Sequence, residues 1–383
     1  MVYLSYLIFS SFFLYIIFRK DNSYTYSAFV FCIFPILTFW IIIIGGQYNV
    51  GTDYFSYLEY FLEPNINDRF KENEQLFYYF VLWLNDFGFR GQSIFFIIAT
   101  IEVIIFSYIS YKIVPTKYVY LFFVVFISFS TVFNNQLNAI RQYLVVYLFS
   151  LSTILLCCRK YFIPFLLLCL CIFIHNSSLF LFIIFPLVFI SRRLNIYLIL
   201  FFLLLSAFIV ILPIADSVGE VLKEFPLYGK YVDSGYFSEI EIKNKLSKLI
   251  FLPLYIYSII LIGSGKMKLS PFYYKINIIG IISYGIKILF LISSLTNRFG
   301  MYFEILMCIP IVYLLIYLKN NNNIIILYYI ILYCMIFIYA LKVTLFAQNE
   351  YRFDSIFLYE IKMEHYENRS TNILYESSRS LNY

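Results

Sequence analysis

Residues 26–46 read YSAFVFCIFPILTFWIIIIGG, with no charged side chain anywhere in the stretch. An α-helix rises about 1.5 Å per residue, so a stretch of this length reaches across the roughly 30 Å hydrocarbon core of a bilayer. It has no polar stripe of the kind a soluble amphipathic helix keeps toward water. Similar blocks recur along the chain. The apolar segments predict spans at 2–18, 26–46, 92–111, 118–134, 138–156, 161–175, 176–190, 196–213, 248–263, 272–294, 300–318 and 323–346. The expected fold is therefore all-α, a polytopic transmembrane helical bundle of about 12 spans. The pair 161–175 and 176–190 is short for two crossings and reads equally as a hairpin stopping shy of the far face. The segment Gln75–Phe89 is too short to span and reads as an interfacial or re-entrant helix.

Composition points the same way. The chain has 383 residues, of which 62% are hydrophobic and 13% charged, and its mean hydropathy is +0.82. A soluble protein of this size could not clothe its surface with so few charges. The net charge of +6 raises the question of nucleic acid. The basic residues stand singly or in pairs between apolar blocks, without the basic stripe a nucleic-acid surface needs, so no nucleic-acid partner is expected. The seven cysteines lie in apolar stretches or at their edges, with no His or acidic residue at ligand spacing. They read as small buried hydrophobes, and no metal is expected. Val2–Phe18 lacks a basic leader and ends in Arg19-Lys20, so it reads as a retained span. No repeat or linker divides the chain, which reads as one transmembrane domain, 1–346, and a polar C-terminal tail, 347–383.

Lysine and arginine in short loops set orientation. One set of turns carries Arg19, Lys20, Lys112, Lys117, Arg159, Lys160, Arg192, Arg193, Lys266, Lys268, Lys275 and Lys319, opposed only by Asp21. This set is expected in the cytoplasm. The other set holds Asn134-Asn135-Gln136, His175-Asn176-Ser177 and Asn297-Arg298, and is expected outside with both termini and the longer segments 47–75 and 214–247.

Ionisable groups at membrane depth are costly and usually functional. Asp53, Arg141, His175 and Arg298 come from four distant parts of the chain, and this topology puts all four at the outer face, around one outward-facing polar cavity. Asp53 follows a glycine-rich bend and stands among tyrosines. Such rings stack on sugar faces while a carboxylate accepts hydroxyl protons; the alternative is an interfacial aromatic belt with a solvated acid. Arg141, followed by Gln142, either snorkels to the surface or binds an anion, for which a guanidinium offers a bidentate fork. His175 is one of two histidines and suits a base, an acid or a hydrogen-bond donor; a satisfied interfacial histidine is the plainer reading. Arg298 is a second outer arginine, expected at a helix start where the dipole would add to its pull on an anion.

Four short motifs occur in order: Gly51-Thr52-Asp53-Tyr54 with Tyr57 three residues on; Arg141-Gln142 opening a span; His175-x-Ser177; and Arg298 followed by Tyr302-Phe303. In this the chain resembles the EpsG-type family of Wzy-like polysaccharide polymerases, over about residues 40–350. It departs at Asn349–Asp354, where a Pro-Tyr segment common in the family is missing, so no role is carried there. The resemblance implies a glycosyltransferase, an O-antigen or capsule type polymerase. It would join oligosaccharide repeat units carried on undecaprenyl diphosphate, at the outer face of the bacterial cytoplasmic membrane. Donor and acceptor are both lipid-linked glycans, and a chain-length regulator is a further expected partner. Asp53 and His175 are the expected catalytic residues, with Asp53 favoured as base. Arg141, Arg298, Tyr54, Tyr57, Gln142, Ser177 and Tyr302 are expected to bind substrate. The donor carries the energy, so no cofactor is needed, and no Gly-x-x-x-x-Gly-Lys phosphate loop is present. Two other classes compete: a lipid-linked oligosaccharide flippase, which would favour mid-bundle charges and repeats, and an O-antigen ligase-type transferase, which differs only in its acceptor.

Overall fold

In the computed structural model, residues 1–20, 23–51, 53–64, 74–136, 138–191, 194–224, 238–345 and 351–358 are described, with Gly229 and Val232. Asp21, Arg192, Arg193 and the tail from 359 onward lie outside the described residues. The chain runs α1 (Val2–Ile17), α2 (Tyr26–Gly45), α3 (Tyr54–Leu62), α4 (Gln75–Asp86), α5 (Gln92–Ile113), α6 (Val119–Phe129) and the single turn α7 (Val132–Asn135). Next come α8 (Ile140–Cys157), α9 (Phe162–Ile174), a 3-10 stretch Asn176–Ile183 leading into α10 (Ile184–Ile190), α11 (Ile196–Ile211) and α12 (Ala215–Lys223). The last third holds α13 (Ile242–Leu249), α14 (Leu252–Gly263), α15 (Pro271–Leu289), α16 (Ser294–Met301), α17 (Glu304–Lys319) and α18 (Ile325–Thr344). Among the described residues no strand forms, only two isolated bridges.

The fold is a helical membrane bundle, and every apolar segment predicted to span contains a helix. The count of twelve crossings is not reached on length, however. Among the described residues, six helices are long and apolar enough to cross, or eight if each of two bent pairs, Ile196–Ile211 with Ala215–Lys223 and Ser294–Met301 with Glu304–Lys319, is one span. Val2–Ile17, Thr116–Phe129, Phe162–Ile174 and Asn176–Ile190 are shorter. Two of the breaks are local: Pro115 precedes Thr116–Phe129, and His175, in extended conformation, separates Phe162–Ile174 from Asn176–Ile190. The helix Gln75–Asp86 forms where expected and is indeed short.

Burial sorts the helices into a centre and a rim. All of Val119–Phe129 is buried, as is 83% of the apolar window of Ile140–Cys157 and of Pro271–Ile292, against 17% for Asn322–Thr344. Helices α1, α2, α9, α11 and α18 turn apolar side chains such as Phe12, Phe31, Phe162, Phe208 and Phe337 outward. Such a rim suits lipid and would be insoluble in water. At the centre α15 packs closely on α17. A Cβ on Gly280 would come within 2.6 Å of both the Leu306 carbonyl and Pro310 Cδ, so this crossing tolerates no side chain there.

The two ends of the bundle differ. At one end the basic turns meet: Tyr118 Oη donates to Asn320 Oδ1 at 2.9 Å, and Lys319 Nζ donates to Tyr120 Oη at 2.5 Å. A cleft of about 580 Å³ opens there among Lys268, Tyr273, Tyr313 and Asn320. The residues singled out for chemistry gather at the opposite end.

Candidate functional site

The centre of that end is a residue the sequence did not advertise. Glu74 stands just before α4 and is only 6% exposed. Its Oε2 is ion-paired with Arg141 Nη1, and its Oε1 lies 2.5 Å from His175 Nδ1. Arg141 is the second residue of α8, and His175 ends α9 in extended conformation. Helix α9 packs against both α4 and α8, so this contact set brings the three side chains together. Arg141 Nε donates to Tyr57 Oη at 3.2 Å, and the guanidinium lies over the Tyr57 ring, 5.9 Å from its centroid. Tyr57 comes from α3, which packs on α4. Segments far apart in sequence thus meet around one carboxylate.

This arrangement fixes the imidazole. With Nδ1–H donated to Glu74, the tautomer leaves the Nε2 lone pair as an acceptor. His175 lies in the break between α9 and the 3-10 stretch. Burial, then Arg141 and Arg298, hold its pKa well below the ordinary histidine value, against the pull of the Glu74 carboxylate. A neutral, oriented imidazole can take a proton at neutral pH.

Arg298 belongs to the same end and lies near enough to act on the His175 imidazole. Its expected place at a helix start is not what forms. Ser293 caps α16 through a capping box with Thr296, so the helix begins at Ser294 and Arg298 falls in its last turn. The dipole there favours a cation in place rather than strengthening its hold on an anion. Gln142 is buried, and its Nε2 donates to the Arg298 carbonyl at 2.5 Å, which ties α8 to α16. Ser177 Oγ and Tyr302 Oη lie 2.8 Å apart, which ties the turn after His175 to the α16–α17 bend. Gln142, Ser177 and the buried Tyr302 thus brace the cluster.

Asp53 lies at the rim, exposed, as the residue before α3. Its backbone N–H donates to Asn138 Oδ1 at 3.1 Å, three residues ahead of Arg141. Gly51 makes this possible. Its φ is +75°, and a Cβ would fall 2.3 Å from the same Asn138 oxygen, so only glycine seats the loop. The Asp53 side chain stands clear of the tyrosines beside it in sequence, because they turn inward. Tyr54 is 1% exposed, stacks on Phe95 and donates to Gln92 Oε1 at 2.7 Å. Tyr54 and Tyr57 are therefore packed into the wall rather than presented as an open platform.

Two further features escaped sequence reasoning. The segment 351–358, to which no role was given, pairs with the start of the Asp53 loop: Tyr48 N–H donates to the Asp354 carbonyl and Ile356 N–H to the Gly46 carbonyl, each at 3.0 Å. A buried pair, Lys287 and Glu304, lies beside α16 at 2.7 Å. The signal for Glu74 was faint: it is the last of several acids, after Glu63, Asp68 and Glu72, directly before an amphipathic segment. Among the described residues, no group of three or more His, Cys, Asp or Glu is placed to hold a metal ion.

Fold and site together define a polytopic helical membrane protein whose polar machinery is assembled at one end of the bundle from distant segments. The EpsG family model matches residues 28–359, and the chain belongs to the EpsG family. That span takes in Glu74, Arg141, His175 and Arg298 and also the whole 351–358 segment. No curated protein and no solved structure matches the chain significantly.

Proposed function

We propose that this protein is a polysaccharide polymerase. It joins oligosaccharide repeat units carried on undecaprenyl diphosphate, at the outer face of the bacterial cytoplasmic membrane. Membership of the EpsG family supports a polymerase-like role. The observation that carries the chemistry is the Glu74–His175 contact beside Arg141.

The acceptor hydroxyl of an incoming lipid-linked unit gives its proton to His175 Nε2 as its oxygen attacks the anomeric carbon of the growing chain. The bond from that carbon to the diphosphate breaks, and its electron pair leaves with the diphosphate. Glu74 stabilises the imidazolium that forms. Arg298, exposed at the mouth, meets the departing diphosphate, and Arg141 adds fixed positive charge beside it. Asp53, at the rim, accepts hydrogen bonds from sugar hydroxyls. His175 rather than Asp53 is the base in this scheme, because His175 has the orienting carboxylate and the burial.

Cells lacking the protein should accumulate a single repeat unit on its lipid, accessible from outside. Lipid-linked units stranded inside the cell would contradict a polymerase and point to transport.

A further inference from the structure

Charged groups that this scheme does not use meet on the far side of α16. Lys287 Nζ lies 2.7 Å from Glu304 Oε1 and donates to Asn297 Oδ1 at 3.0 Å. Glu304 Oε2 accepts from the backbone N–H of Thr131 at 2.9 Å and from its hydroxyl at 2.6 Å. Glu304 is fully buried and Lys287 nearly so. Two more lysines converge on this pair. Lys248 lies within electrostatic range of Glu304, Lys287 and Lys342, and Lys342 within range of Glu304. The Lys248 backbone is held by Tyr284 Oη, which donates to its carbonyl at 2.9 Å. The Lys342 ammonium lies over the Tyr351 ring, 5.8 Å from its centroid.

Among the described residues, neither the Lys248 nor the Lys342 ammonium has a hydrogen-bond or ion-pair partner. Three lysines therefore lie within electrostatic range of one carboxylate, and Lys287 alone is in contact with it. An uncompensated excess of two positive charges in a region of low dielectric is costly unless an anion enters. Lys248 and Lys342 are each half-buried, so they are reachable. They also stand at the same bundle end as the arginines, where the expected topology disfavours lysine. Helix α16 divides the two groups: Asn297 faces Lys287, while the carbonyl of its neighbour Arg298 is taken by Gln142.

We infer that Lys248, Lys342 and Lys287, organised around Glu304, form a second anion subsite that takes a phosphate or diphosphate ester. On the polymerase reading, on which this assignment of the source rests, the reaction handles two lipid diphosphates. One leaves at the arginines. The other stays bonded to the acceptor unit and needs a holding site of its own. Lysine binds phosphate as a compact charge, without the directional fork of arginine.

The test titrates full-length protein, in nanodiscs of phosphatidylcholine, with a short-chain polyprenyl diphosphate. Wild type should bind at two sites. Lys248→Gln with Lys342→Gln should lose one and keep the other, while Arg298→Gln should lose the one that remains. Retention of that arginine site shows that the lysine variant is folded. Lys248→Arg with Lys342→Arg should bind at both sites. Two undiminished sites in the glutamine pair would overturn the subsite. Repeating the wild-type titration in discs containing phosphatidylglycerol separates the sources. Two sites that persist support the substrate diphosphate. Loss of the lysine site by competition would overturn that assignment and give the site to a phospholipid headgroup. Stoichiometry is read without turnover, so a protein that binds at two sites yet never polymerises would contradict the proposed function and leave the subsite standing.

Discussion

The Glu74 carboxylate holds His175 Nδ1 at 2.5 Å while ion-paired to Arg141, so one buried acid sets both the tautomer of the histidine and the position of the arginine. Its replacement should therefore cost more than a surface carboxylate would. Glu74→Gln can offer an N–H to Nδ1 and so select the wrong tautomer. Polymer formation should fall by about 10²–10⁴-fold, the range of a lost general base, while Glu74→Asp retains part of the activity. Glycan length in cells and protein level on blots check this, and wild-type glycan in Glu74→Gln would contradict it. The pH profile follows from the same geometry. The base works unprotonated, and burial with two arginines lowers its pKa. The active form then persists as pH falls, so the acid limb should lie below the value of about 6.5 expected of an unperturbed histidine. Removing the Glu74 charge should move that limb lower still.

The two arginines differ in setting. Arg298 is exposed, whereas Arg141 is bound to Glu74 and Tyr57. Arg298→Lys keeps charge but loses the fork for diphosphate. It should slow transfer about tenfold or more, on the order of one charge-assisted hydrogen bond, with normal protein level. Arg141→Lys should slow transfer at least as much and also lower the amount of folded protein, because it leaves Glu74 poorly paired. Polymer yield normalised to protein level separates the two effects. Unchanged glycan length in both variants would make these packing residues only.

The membrane class, the helical segments and, of the candidate site, Arg141, His175 and Arg298 were legible in the sequence: an apolar background reads as membrane, and an ionisable residue stands out against it. Glu74 was not legible because it sits in a polar, acid-containing stretch where one carboxylate resembles the next, and only the packing of α4 on α9 selects it. Lys287 and Glu304 were hidden differently, each a single charge near a helix end that reads as a boundary marker until the pair is seen at 2.7 Å. Arg298 was found, but its position within its helix was not, because the Ser293–Thr296 capping box moved the helix start. Tyr54 and Tyr57 were noticed for their aromatic faces, and nothing in the sequence tells a ring that stacks inward on Phe95 from one that faces a sugar.

Orientation is open to chemical labelling. In a background with the exposed Cys158 and Cys334 replaced by serine, cysteines introduced at Arg90 and Lys243 should react with an impermeant thiol reagent in intact cells. Cysteines at Lys160 and Lys266 should react only after the membrane is opened. All four positions are exposed, so failure to react reports the membrane and not burial. The reverse pattern would place the site in the cytoplasm and remove the outer-face reaction.

The most direct measurement reconstitutes purified protein in liposomes with lipid-linked repeat units and follows glycan length together with released polyprenyl diphosphate. Wild type should lengthen the glycan and release one lipid diphosphate for each new linkage. His175→Gln, incorporated to the same level, should do neither. Repeat units that cross the bilayer without lengthening, or a His175→Gln protein that polymerises like wild type, would contradict the account.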